Sequence, residues 1–200
     1  MTEPDFEGAD AYALARLARE LSPQLTYHSL AHTRDEVLPA AERLADAEGV
    51  SGRERELLRT AACFHDLGFV VGPVDHELKG IEIAQTVLPT YGFRPAHCMA
   101  ISRMILATRI PQVAHTHLEG ILADADLDVL GREDFWTRQK DLRLERAALG
   151  LPVDEVTWYR DQVQFLERHT YWTAAARSLR GPGKHTHIRT LLAHLQTLPV

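Results

Sequence analysis

The stretch AACFHDLGF, residues 61–69, constrains the fold more than any other part of the chain. Its flanks have the composition of a buried helix, yet its innermost turn carries His65 next to Asp66. Burying an imidazole beside a carboxylate is costly unless each finds a partner. The chain must therefore fold so that other segments deliver that partner. Apolar residues recur with helical spacing almost everywhere, and no stretch alternates as a half-buried strand would, so those segments are helices.

The spacing predicts a first helix with Leu14, Leu17 and Leu21 on one face, stopped by Ser22-Pro23. A second runs from about Ser29 to Glu48, with Val37, Ala41, Leu44 and Ala45 inward, a kink at Pro39 and a stop at Gly49. A third opens on a capping box, Ser51 to Glu54, carries Leu57, Leu58, Ala61 and His65 along one face, and ends at Gly68. A fourth spans roughly 76–88, a fifth starts at Pro95, and a sixth covers about 117–130 and ends at Gly131. Residues 133–198 give three or four more, broken at Gly150-Leu151-Pro152 and at Gly181-Pro182-Gly183. The expectation is one all-α domain over residues 1–200, its last third wrapping or extending the first two.

Composition narrows the function. The formal charge is −6, too acidic for a protein that binds duplex nucleic acid by neutralising phosphates. No apolar run approaches the ~20 residues that cross a bilayer. The acidic start MTEPDFEGAD is the opposite of a secretory leader. Cys63 and Cys98 form no C-x-x-C motif and read as reduced core residues of a cytoplasmic protein.

Eleven histidines is a high number, and several interrupt apolar patterns. In YHSLAHTRDEV, His28 and His32 are four apart and would share one helix face. In ILADADLDVLG, Asp124 and Asp126 sit in an otherwise apolar helix. A divalent metal would reconcile these with His65-Asp66, because the cation neutralises buried carboxylates and imidazoles are neutral ligands. His32, His65, Asp66 and one of the two late aspartates would be the ligands. Each residue alone has a plainer explanation, as a hydrogen-bonded core histidine, a loop cap or an exposed helix face.

YHSLAHT, AACFHDLGF and ILADADLDVLG, in that order, resemble the three signature segments of the HD-domain superfamily of metal-dependent phosphohydrolases, over residues 27–131. The tail, with YRDQVQFLERHTYWT, resembles the C-terminal portion of an uncharacterised bacterial branch. The resemblance implies an all-α helical bundle and a divalent metal ion (zinc, manganese, iron, cobalt or nickel), one per chain rather than two. It implies His32, His65, Asp66 and Asp126 as ligands, with Asp124 as competitor for the last place. It matches His28 to a histidine that serves as acid in the phosphodiesterase relatives. The implied reaction is hydrolysis of a phosphomonoester or phosphodiester, nucleotides foremost, by a metal-activated water, Asp66 belonging to the catalytic set. The alternative is a module on the same fold that binds metal or nucleotide for signalling without turnover.

By their position after the doublet, Glu77 and Lys79 could line the pocket mouth, Glu77 holding a water and Lys79 meeting a phosphate, with His76 beside them. Arg34, Arg103 and Arg109 are candidates for substrate anion contacts, and His97, His115 and His117 for a second metal. The partner expected is a small phosphorylated molecule, with no membrane.

Overall fold

The computed structural model describes residues 3–198, and its described residues hold nine α-helices and no strand. They are α1 (Phe6–Glu20), α2 (Leu38–Ala47), α3 (Gly52–Phe64), α4 (His76–Val87), α5 (Pro95–Ala107), α6 (His117–Asp126), α7 (Phe135–Ala148), α8 (Glu155–Arg168) and α9 (Ala174–Leu195). Helices α2, α3, α5 and α6 pack around Leu44, Leu58, Phe64, Ile101, Ile105, Ile121 and Leu122, all fully buried. Each such side chain contributes about 1.5–3 kcal/mol by leaving water. Helix α1 covers α3, α4 lies against α5, and α8 pairs with α9.

Pro39 does not bend a continuous second helix. A π-helical segment, His32–Val37, precedes it, and the Leu38 N–H donates to the Thr33 carbonyl five residues back. The widened turn sits directly before the residue that has no N–H to give, and widened turns of this kind concentrate at functional sites. Nor does a helix reach His28, which lies in a bend before the first helical residue, Leu30. Ser51 starts α3 but makes no side-chain cap, so the expected capping box does not form.

Gly68 has another role than ending α3, which stops at Phe64. It sits in a 3₁₀ turn, Leu67–Val70, against which α4 is laid so closely that a Cβ would lie 1.8 Å from the His76 carbonyl oxygen. The expected break at Gly181-Pro182-Gly183 is absent, and α9 runs through it. There the glycine serves packing, since a Cβ on Gly183 would lie 2.2 Å from the Gly131 carbonyl oxygen, in the 3₁₀ turn Asp128–Gly131. Buried Asp128 locks the same junction, accepting two bonds from Arg180 and one from Arg43.

Candidate metal centre

Three helical segments bring the predicted residues together. His32 opens the π-helical segment, His65 and Asp66 follow the end of α3, and Asp126 ends α6. His32, His65 and Asp66 are buried, and each offers a ligand atom within 4.8 Å of the others. Asp126 Oδ1 closes the group, 3.3 Å from His32 Nε2 and 3.5 Å from His65 Nε2. Asp66 Oδ2 stands 3.3 Å from His65 Nε2 and 3.8 Å from His32 Nε2.

The far side of each ring decides what the near side can do. His65 Nδ1 is 2.7 Å from the Ala62 carbonyl, which only accepts, so Nδ1 carries the hydrogen. His32 Nδ1 is likewise held 3.2 Å from Glu36. In the neutral rings both Nε2 lone pairs therefore point into a space shared with two carboxylates. Acceptors facing acceptors repel unless a cation lies among them. His65 Nε2 and Asp66 Oδ2 are accordingly buried atoms without a hydrogen-bond partner. Two imidazole nitrogens and two carboxylates suit a divalent transition ion, so the donor set fits the metal the sequence implied.

The ionisation of these groups shows the same demand. Burial pushes the His65 imidazole down, but the Asp66 and Asp126 carboxylates outweigh it and hold it well above its ordinary value. His32 is raised in the same way, by Asp126 and Glu36 against burial. Burial raises Asp126, and the two histidines overcome it and hold the carboxyl below its ordinary value. Asp66 is lowered by His65, again against burial.

Around the cluster, His28 Nδ1 is 2.5 Å from Glu145 Oε1, and its ring stacks on Phe69 at 4.3 Å. Its centroid is 6.0 Å from that of His32, so the two rings are neighbours although no common helix carries them. His76 stacks on the same Phe69 at 4.0 Å, with Nε2 3.5 Å from Asp66 Oδ1 and 3.4 Å from Glu77 Oε1. Glu77 is buried beside it. Lys79 reaches back to the Gly72 carbonyl at 3.4 Å. Asp75, which precedes His76, holds a left-handed backbone (φ 50°) and accepts from Arg109 at 2.6 Å.

Asp124 does not join the cluster. Its oxygens accept from the Trp172 and Thr173 N–H groups and the Thr173 hydroxyl at 2.7–2.8 Å, at the start of α9. Arg34 pairs with its neighbour Asp35. The middle histidines are scattered: His97 pairs with Arg94, His117 meets Glu48, and the His115 N–H donates to Glu119. A groove of about 680 Å³ between the end of α5 and the start of α6 is lined by Arg103, Leu106, Arg109, Ile110 and Val113. Sequence reasoning missed Glu36, Arg138 and Glu145, which hold the histidines from behind. The only local signal was Glu36, four residues after His32.

A helical bundle with this His, His-Asp, Asp order is the arrangement of HD-domain proteins, and the family model of the HD domain matches residues 27–128. The chain belongs to the HD-domain family. Its fold is similar to the crystal structure of a predicted HD superfamily hydrolase from an uncultured Thermotogales bacterium. The TM-score is 0.63 at 21% identity, over 96% of this chain and 92% of that one, a likeness of fold. Comparison with curated proteins gives no match. No described helix is long and apolar enough to cross a membrane.

Proposed function

We propose that the protein is a metal-dependent phosphohydrolase acting on a phosphomonoester or phosphodiester, nucleotides being the first class to try. The observation that carries this reading is the convergence of two imidazole lone pairs and two carboxylates on one buried space. His32, His65, Asp66 and Asp126 would hold the ion, zinc, manganese, iron, cobalt or nickel. When bound, a divalent ion supplies Lewis acidity and lowers the pKa of water to about 7.

The chain's own residues do the rest. The Ala62 carbonyl and Glu36 keep both ligand rings in the tautomer that presents Nε2. Glu145 occupies His28 Nδ1, so His28 Nε2 is left to give a proton to a leaving-group oxygen. Phe69 shields both His28 and His76 from one side. Glu77, beside the His76 ring that borders Asp66, would hold a water, and Lys79 would meet a substrate phosphate. The groove lined by Arg109, whose guanidinium pairs with Asp75 next to His76, would take the organic part of a substrate. Two buried free cysteines accord with a cytoplasmic, reducing setting.

The test loads metal-free protein with each of these ions and measures phosphate release from nucleotides, benzyl phosphate and p-nitrophenyl phosphate. His28→Ala should keep its metal and lose roughly 10²–10⁴-fold in turnover on the alkyl ester, and much less on the nitrophenyl ester. Tight metal binding with no hydrolysis of any ester would contradict the proposal and favour a binding module.

A further inference from the structure

Helix α7 lies beyond the residues matched to the family, yet it holds both histidines of the first segment. Glu145 is 2% exposed. Its Oε2 accepts from the Tyr27 and His28 N–H groups at 2.8 and 3.0 Å, while Oε1 meets the His28 ring. Arg138, also buried, donates to the Tyr27 carbonyl at 2.9 Å and lies 4.5 Å over the Tyr27 ring. Its Nε is 3.0 Å from Glu36 Oε1, and the other oxygen of Glu36 meets His32 Nδ1. Arg138 and Glu145 are seven residues apart and so share one face of α7.

Two lines of polar contact thus leave one helix face and end on two imidazoles. A helix that merely packed would need the apolar contacts and the bonds to the Tyr27 backbone. Here Glu145 is directed to a ring nitrogen and Arg138 to the carboxylate that meets another, and a carboxylate so placed fixes tautomer and orientation. A carboxylate that holds a ligating histidine typically supports 10–100-fold in metal affinity or activity.

We propose that Arg138 and Glu145 are positioning residues, Glu145 fixing the His28 ring and Arg138 fixing Glu36 and through it the His32 ring. This rests on the reading of His28 and His32 given above. The matched segment is then incomplete without α7.

Glu145→Gln, Arg138→Met and Arg138→Lys, with exposed Lys140→Gln as control, separate this from packing. Each is checked for folding by circular dichroism. Three quantities are read: Mn²⁺ affinity of the metal-free chain, the tautomer of the neutral His28 ring by nitrogen-15 shifts, and hydrolysis of benzyl and p-nitrophenyl phosphate. Glu145→Gln should leave Mn²⁺ affinity and KM near wild type, mix the His28 tautomers, and lower kcat on the benzyl ester by about 10–100-fold. Arg138→Met should weaken Mn²⁺ binding by about 10–100-fold, and Arg138→Lys should recover part of it. Variants that melt earlier but keep wild-type Mn²⁺ affinity, tautomer and rates would make α7 a packing element and overturn the proposal. If wild type hydrolyses neither ester while affinity and tautomer still shift as stated, the positioning role stands and the phosphohydrolase reading falls.

Discussion

Asp124 and Asp126 are two residues apart at the end of α6, and they meet opposite fates. Asp124 faces the start of α9, where two N–H groups and a hydroxyl fill its oxygens. Asp126 faces His32 and His65, whose nearest nitrogens are acceptors in the neutral rings. Asp124 is fully buried and Asp126 half-buried, so depth of burial does not mark the functional carboxylate. What marks it is whether the surrounding groups can donate. A carboxylate with its donors complete is a latch, and one that confronts other lone pairs needs a cation.

The comparison breaks most visibly under amide substitution. Asp126→Asn should abolish retention of the ion and reduce hydrolysis to background, while the metal-free protein melts near the metal-free wild type. Asp124→Asn should keep the ion and most activity but lose about 3 kcal/mol, because an amide N–H₂ then confronts buried donors. For a chain of this size that is about 6–12 °C in Tm. Elemental analysis and thermal melts of both variants check it. Equal metal loss from both would erase the distinction.

The C-terminal latch itself can be struck without touching the cluster. A Cβ on Gly131 would lie 2.2 Å from the Arg180 carbonyl oxygen. Gly131→Ala should therefore cost about 1–3 kcal/mol while metal affinity stays unchanged. Loss of metal in that variant would mean the two regions are coupled.

A pH effect of smaller size separates the same regions. Burial, aided by Lys184, holds the His169 imidazole down at about 4. The unfolded chain takes up that proton near pH 6.5, whereas the folded one refuses it until about 4. Stability is therefore intact above 6.5 and falls as pH drops from 6.5 toward 4. His169→Gln should flatten this part of the Tm profile relative to wild type, and an unchanged slope would remove His169 from the account.

Much of this was legible in the chain. Periodicity placed α4, α5 and α6 within a few residues; the polar interruptions pointed to His32, His65, Asp66 and one of two late aspartates, and the resemblance to the HD-domain superfamily named Asp126. The misses share a cause. Asp124 against Asp126, left open by the pattern alone, turns on which neighbour each faces, and the Trp172 N–H that Asp124 accepts from lies 48 residues along the chain. Glu145 belongs to a heavily charged helix, yet it meets His28 across 117 residues of chain. Glycines 68, 131 and 183 looked like stops because the close backbone approaches that require them are invisible locally. Composition records which groups are costly to bury, and only packing records which of them receive donors.

The central claim is that the buried space between α3, α6 and the π-helical segment is a cation site. Anomalous diffraction from crystals soaked in Mn²⁺ or Zn²⁺ tests it most directly. The account predicts one strong peak within bonding distance of His32 Nε2, His65 Nε2, Asp66 and Asp126. A peak at His115 or His117 instead, or none at this cluster with metal in excess, would contradict it.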